Sequence, residues 1–257
     1  ELGFEAFAAF SDADRSARWV AQADRSVEIG PAPAAKSYLN SEAILAAAND
    51  CGATAIHPGY GFLAENSDFA AAVKDSGLIW VGPEPECIRV MGDKSSALSV
   101  AESASVPILP RSDVLVDLEA AVAQAEALGY PVLLKANAGG GGRGIRPIHG
   151  ETILRNCFDQ ARAEVGAAFG SDSMYLEKML TRARHVEVQV LGDMHGNVIH
   201  LFERDCSLQR RRQKVVEEAP SPSISETTRE SLSAAAVRLA KAVNYNSAGT
   251  VEFLVDE

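Results

Sequence analysis

YPVLLKANAGGGGRG, residues 130–144, is the stretch on which the reading of this chain turns. Residues 130–135 read as a strand ending in a lysine, and four consecutive glycines follow within a few positions. Ordering four adjacent glycines costs a large amount of conformational entropy. Such a run is useful where backbone N–H groups must come close to a ligand. A nest of exposed amides suits phosphate oxygens, and Lys135 and Arg143 add positive charge. No Gly-Lys-Ser/Thr follows, so the run is not a Walker-type loop, and it does not open a helix as a dinucleotide-binding glycine motif does. Taken alone, it fits a flexible surface loop equally well.

Outward from this stretch, strands and helices alternate. Residues 7–10 read as a strand followed by a helix start at Ser11-Asp12-Ala13-Asp14. Residues 41–49 read as a helix with Ser41 as N-cap, 53–56 as a strand, HPGYGFLAEN (57–66) as a loop, 69–76 as a helix and 78–81 as a strand. This alternation predicts a parallel sheet with helices on its faces. Residues 84–110 read as a helical connector containing MGDKSSA (91–97), where Asp93 or Ser95 caps a helix start. Residues 117–128 read as a helix stopped by Gly129, 151–168 as a helix and 174–177 as a strand. A hairpin follows, turning at 192–196 and returning over 197–203. Residues 227–243 read as a helix and 250–255 as a last strand.

Four further features carry possible chemistry. In HVEVQV (185–190), period two puts Val186, Val188 and Val190 on one face and His185, Glu187 and Gln189 on the other. The commoner meaning of such a polar face is exposure to solvent. RDCSLQRRRQKVVEEAP (204–220) packs Arg204, Arg210, Arg211, Arg212 and Lys214 into one segment; an anion site and a solvated charge run both fit it. Glu252 shares a strand face with Thr250 and Leu254. A buried carboxylate there needs a partner such as a divalent metal, whereas one on an edge strand needs only water. Lys94, by itself, is accounted for as part of a helix start.

Composition limits the alternatives. Of 257 residues, 24 are Lys or Arg and 35 Asp or Glu, a net charge of −11, which argues against nucleic acid and anionic membrane as default partners. Nearly half the chain (47%) is hydrophobic, which argues against disorder. Cys51, Cys87, Cys157 and Cys206 have no metal-ligand spacing and suit a reducing compartment. No apolar run is long enough for a membrane span. Both ends read as cut: ELGFEAF begins without Met, and TVEFLVDE ends on a strand.

Taken in order, SYLN, AIHPGYGFLAEN, MGDKS, YPVLLKANAGGGGRG, RHVEVQV, RDCSLQRRRQKVVEEAP and AGTVEFL give the chain a resemblance to the biotin carboxylases, ATP-grasp enzymes of biotin-dependent carboxylases. The surrounding text is similar to the biotin carboxylase part of an acyl-CoA carboxylase. The resemblance implies an α/β fold: a Rossmann-like N-terminal parallel sheet lacking its first strand, then an ATP-grasp fold with a glycine-rich lid subdomain. It places the N-terminal domain at 1–82, a helical connector at 83–107, the lid at 108–179 and the start of the C-terminal subdomain at 180–257.

The implied activity uses ATP and bicarbonate to form carboxyphosphate, which carboxylates the ureido nitrogen of biotin on a carrier domain. On the matching motifs, Lys94 and Lys135 contact ATP phosphates beneath a lid loop of Gly139, Gly140, Gly141 and Gly142. Glu177, Lys178 and Leu180 fall at the adenine, His185 and Gln209 near the ribose, and Leu254 in the nucleotide set. Lys214 falls where bicarbonate and the transferred phosphoryl bind, with Arg212 beside it in the catalytic set, and Glu252 matches a ligand of Mg²⁺ or Mn²⁺. Implied partners are a biotin carboxyl carrier domain, a carboxyltransferase and further copies of the chain, in cytoplasm or mitochondrial matrix.

The chain departs from the family pattern at Ala138, where relatives often carry glycine, and at Arg212, where many carry His. A second metal-binding glutamate and the arginines that hold bicarbonate and biotin are not in the chain, so these 257 residues alone are expected to lack bicarbonate-dependent ATPase activity. Two other readings compete: a different ATP-grasp ligase joining a carboxylate or bicarbonate to an amine, and a non-catalytic nucleotide-binding domain. The joint presence of Lys94, Lys135, Lys214 and Glu252 argues against the second.

Overall fold

The computed structural model describes residues 3–137, 144–210 and 213–256. The chain divides into two compact units, residues 1–92 with 245–248, and residues 93–244 with 249–257.

In the first unit β1 (Phe7–Ser11) leads through α1 (Arg18–Gln22) to β2 (Arg25–Gly30), and the two strands pair in parallel. Next come α2 (Ser41–Asp50), β3 (Ala55–Ile56), α3 (Ser67–Asp75), β4 (Ile79–Trp80) and α4 (Pro85–Gly92), with β3 and β4 again parallel. Leu63, Phe69, Ala70, Val73 and Trp80 form the core. The expected parallel pairing is present, as two separate strand pairs. Two helix starts are corrected. The N-cap of α2 is Asn40, not Ser41: the Asn40 backbone is extended and its side chain accepts from the Ala43 N–H at 3.1 Å. Asn66 caps α3 in the same way, so that helix starts two residues before the expected Phe69.

The second unit opens with α5 (Lys94–Ser103), capped by Asp93, whose side chain accepts from the Ser96 N–H at 2.8 Å. Asp117 caps α6 (Leu118–Leu128), which ends at Gly129 with φ +72°, a value that glycine adopts without penalty. Then follow β5 (Val132–Ala136), β6 (Ile145–Ile148), α7 (Glu151–Phe169) and β7 (Met174–Lys178). The strands form an antiparallel sheet in the order β6-β5-β7, so antiparallel strands flank the glycine run in sequence. Val132, Leu134 and Ala136 of β5 enter a core with Leu154, Phe158 and Leu176, which leaves Lys135 on the opposite face. In this register Lys135 lies opposite Tyr175 and Leu133 opposite Glu177, which makes Lys135 and Glu177 diagonal neighbours. Leu176 is fully buried, and Leu176→Ala should destabilise this unit by about 2–5 kcal/mol in a denaturant titration.

The unit continues with the hairpin β8 (Ala183–Gly192) and β9 (Val198–Asp205), then a short antiparallel ribbon of β10 (Gln209–Arg210) and β11 (Gln213–Lys214). α8 (Glu226–Ala242), capped by Ser225, and β12 (Ala248–Asp256) follow, and the sheet runs β12-β8-β9. Val186, Val188 and Val190 are buried on the side where α8 packs against β8 and β9, which turns His185, Glu187 and Gln189 to the other face, as the alternation predicts. β12 alternates too, with Thr250, Glu252 and Leu254 exposed and Val251, Phe253 and Val255 half-buried. Among the described residues no helix is long and apolar enough to cross a membrane.

Candidate functional site

Two groups of candidate side chains assemble in the second unit. The first lies at the root of the glycine run. Lys135 makes an ion pair with Glu177 across β5 and β7. Lys94, in the first turn of α5, points its ammonium at the Ala136 carbonyl at 3.5 Å. Burial and the neighbouring Lys135 push the Lys94 ammonium below its ordinary pKa, with Glu177 only partly offsetting them. Two lysines thus share one carboxylate, and the surplus positive charge suits an anion. Ser95 donates to Asn137 Oδ1 at 2.8 Å and ties α5 to the end of β5.

Lys178 turns away from this group, donating to the Gly129 carbonyl at 2.6 Å. Leu180 is half-buried just beyond β7. Gly139, Gly140, Gly141, Gly142 and Arg212 lie outside the described residues.

The second group is built on the polar face of β8. Glu187, expected on the simplest reading to face solvent, is only 3% exposed. Arg204, its direct cross-strand partner on β9, donates through Nε to Glu187 Oε1 at 2.7 Å. Lys214 Nζ donates to Glu187 Oε2 and to Glu252 Oε1, the latter at 2.7 Å. Burial alone would raise the Glu187 pKa, but the bonds from Lys214 and Arg204 outweigh it and hold the carboxyl below its ordinary value. Lys214 is the converse: burial pulls its pKa down, and the bonds to Glu187 and Glu252 raise it above the ordinary lysine value.

His185 and Gln209 complete this group. Gln209 Nε2 lies 3.0 Å from the Cys206 carbonyl and 2.7 Å from His185 Nδ1. An amide nitrogen only donates, so Nδ1 accepts and the ring proton sits on Nε2, which faces Glu252 Oε1 at 3.5 Å. His185 and Lys214, against the opposing effect of burial, hold the Glu252 carboxyl down to about 2. Glu252 is therefore an ionised, half-exposed oxygen donor, a suitable ligand for a hard divalent cation. Leu254 stands exposed on the same strand face.

Glu187, Cys206 and Glu217 also bring ligand atoms within 4.8 Å of one another. Arg204 and Lys214 already neutralise Glu187, and burial and Glu187 push the Cys206 thiol up to about 11, so this trio is a poor metal site and Cys206 a poor nucleophile.

The segment that carries Gln209 and Lys214 is anchored from β9. Asp205 accepts from the Ser207 N–H at 2.9 Å, from Ser221 Oγ at 3.2 Å and from Ser223 Oγ at 2.5 Å. Burial opposes its charge, but these bonds lower its pKa to about 2 from an ordinary 3.8. A depressed carboxyl stabilises the fold above its unfolded pKa and loses that contribution as pH falls through its folded value. Asp205→Asn should therefore lose about 2 kcal/mol of stability at neutral pH and lose less on acidification from pH 4 to pH 2 than the parent, read by denaturant titration at each pH.

Sequence reasoning placed His185, Gln209, Lys214 and Glu252 in one site, and the structure brings them together. It named Glu187 and Arg204 in separate motifs and did not pair them. The signal that joins them is cross-strand register, which spacing along one strand does not contain.

With this geometry in place, comparison with known proteins defines the class. Residues 93–257 match the family model for the carbamoyl-phosphate synthase L chain ATP binding domain, and residues 1–88 match that for the biotin carboxylase N-terminal domain. The fold is thus an ATP-grasp fold preceded by the domain that accompanies it in biotin carboxylases. The chain belongs to the biotin carboxylase family. It is 54% identical to the biotin carboxylase of Pseudomonas aeruginosa over 258 residues, covering 100% of this chain and 58% of that protein. It is 51% identical to the mitochondrial methylcrotonoyl-CoA carboxylase subunit alpha of Glycine max, over 99% of this chain and 35% of that one. Among solved structures it superposes with a TM-score of 0.92 on the biotin carboxylase domain dimer of Hydrogenobacter thermophilus 2-oxoglutarate carboxylase, in complex with MgADP, ADP and bicarbonate. Identity there is 47%, covering 100% of this chain and 56% of that chain. The chain spans a little over half the length of the curated biotin carboxylases it matches.

Proposed function

We propose that the protein carrying this chain catalyses the ATP- and bicarbonate-dependent carboxylation of biotin, the first half-reaction of an acyl-CoA or related carboxylase. The observation that carries this reading is Lys214, an ammonium held between buried Glu187 and half-exposed Glu252. Bicarbonate oxygen attacks the γ-phosphorus of ATP, releasing ADP and forming carboxyphosphate. The biotin ureido nitrogen then takes the carboxyl group as phosphate leaves, its proton passing to the departing phosphate.

Such a reaction needs positioning and charge neutralisation more than covalent help from the protein. Lys94 and Lys135 supply their surplus charge to the nucleotide phosphates beneath the Gly139–142 loop. Lys214, with Arg212 beside it in sequence, draws bicarbonate and the moving phosphoryl group. His185 and Gln209 serve the ribose, and the 177–180 segment with Leu254 serves the base. With the Glu177 carboxylate committed to Lys135 and the Lys178 ammonium to Gly129, the base is left to the backbone of that segment. Glu252 is the residue here that would hold Mg²⁺ or Mn²⁺, which when bound neutralises phosphate charge.

The division into an N-terminal domain (1–82), connector (83–107), lid (108–179) and second ATP-grasp part (180–257) belongs to the same reading. So do partnership with a biotin carrier domain and a carboxyltransferase, self-association, and a cytoplasmic setting. The dimer in the Hydrogenobacter structure and the relatedness to carboxylase alpha subunits support the partners. The test is ADP release from MgATP. The rate should need bicarbonate and rise on adding free biotin. A rate raised instead by an amine acceptor would favour the rival ligase, and nucleotide binding without turnover would favour a non-catalytic domain.

A further inference from the structure

Arg204 and Lys214 belong to one closed loop of hydrogen bonds, completed by the β12 backbone between Gly249 and Glu252. One arm runs from Arg204 Nε to Glu187 Oε1 at 2.7 Å, and from Glu187 Oε2 to Lys214. The other runs from Arg204 Nη1 to Gln189 Oε1 at 3.2 Å, and from Gln189 Nε2 to the Gly249 carbonyl at 2.8 Å. Gly249 lies three residues before Glu252 on β12, so the arms close where Lys214 bonds Glu252 at 2.7 Å. The Gln189 amide is fixed at both ends, its oxygen by a guanidinium and its nitrogen by a carbonyl. A hydrogen-bond network closed in this way restrains its members more than isolated pairs do.

We propose that Arg204 and Gln189 are positioning residues that set the separation of Lys214 and Glu252, and so hold the anion-binding ammonium in register with the metal-binding carboxylate. Neither needs to touch substrate. Arg204 keeps the buried Glu187 ionised, so Lys214 keeps one fixed counter-ion on that side. Gln189 pins the β12 backbone to the same guanidinium. Both side chains stand on the sheet face opposite Val186, Val188 and Val190, so removing the Gln189 bonds opens no core cavity. The inference rests on reading Lys214 and Glu252 as the bicarbonate and metal residues.

The test uses Gln189→Met, which keeps the side-chain length and removes both bonds, with Arg204→Met and Arg204→Lys, in the protein that carries this chain. Outer-shell partners of metal ligands typically alter affinity about 10- to 100-fold. Gln189→Met should weaken Mn²⁺ binding to the ADP complex, followed by the Mn²⁺ EPR signal, by about tenfold, and raise the KM for bicarbonate similarly. Metal-free ADP affinity and melting temperature should barely change. Arg204→Met should show a larger loss, partly recovered in Arg204→Lys, which can still bond Glu187. Unchanged Mn²⁺ affinity and bicarbonate KM in Gln189→Met would overturn the proposal, as would losses tracking the melting temperature alone. Should Gln189→Met not fold, Arg204→Lys carries the same readouts. Parent protein that binds Mn²⁺ and ADP but shows no bicarbonate-dependent turnover would overturn the function instead, since the EPR readout needs no turnover.

Discussion

Lys214→Ala is expected to lower biotin carboxylation about a thousandfold while nucleotide affinity stays within a few-fold, the size of effect seen when a preorganised charge is removed from a transition state. Lys214 ties Glu187 to Glu252, and it is the charge among these residues placed to meet a second anion beside Glu252, the proposed metal ligand. Its loss leaves Glu187 with Arg204 and Glu252 with His185, so both carboxylates keep a polar neighbour and the fold should survive. Turnover should fall with bicarbonate saturating, while ADP binding, measured by calorimetry, stays near the parent value. Unchanged turnover in a folded variant would remove Lys214 from the mechanism.

Lys135→Met is expected to act on the opposite side of the reaction, raising the KM for ATP about 10- to 100-fold with a smaller change in kcat. The basis is the loss of a charge-assisted hydrogen bond, about 1.5–3 kcal/mol. Lys135 and Lys94 share the Glu177 carboxylate, and Lys94 is already short of compensation. Removing Lys135 cancels the surplus positive charge at the proposed phosphate site and leaves Glu177, 8% exposed, without its hydrogen-bonded ion-pair partner. Lys135→Met combined with Glu177→Gln should regain stability without regaining ATP affinity. Recovery of both in the double variant would mean that Lys135 served only as a counter-ion.

These two variants act on groups whose legibility in the sequence differed. Lys135 was readable as the lysine that ends the strand YPVLLK ahead of the glycine run, and in β5 it stands on the face opposite buried Val132 and Leu134. The helix start near Asp93 was readable because a short acceptor satisfies orphan N–H groups there, and the structure selects Asp93 over Ser95 as the cap. β6 was not readable: Pro147 lies inside it, and proline is tolerated only because β6 is an edge strand of the β6-β5-β7 sheet. β2 was missed because Arg25 and Glu28 are exposed on a strand that, among the described residues, pairs with β1 alone. In the site, the polar face of β8 was readable residue by residue. Its burial was not, because that depends on Arg204 arriving opposite Glu187 through a hairpin register that shifts between Val188 and Val190. The basic run 204–214 likewise looked like one patch. In three dimensions Arg204 and Lys214 converge on a single carboxylate, whereas Arg210 stays exposed.

Under the proposed function, the group around Lys214 and Glu252 serves the carboxylation of biotin. The most direct measurement incubates the protein that carries this chain with MgATP, free biotin and radiolabelled bicarbonate, and compares ADP released with acid-labile label recovered on biotin. One ADP should appear for each carboxybiotin, with both products lost together in Lys214→Ala. ATP cleavage that leaves biotin unlabelled, or label recovered in an acid-stable amide, would contradict it.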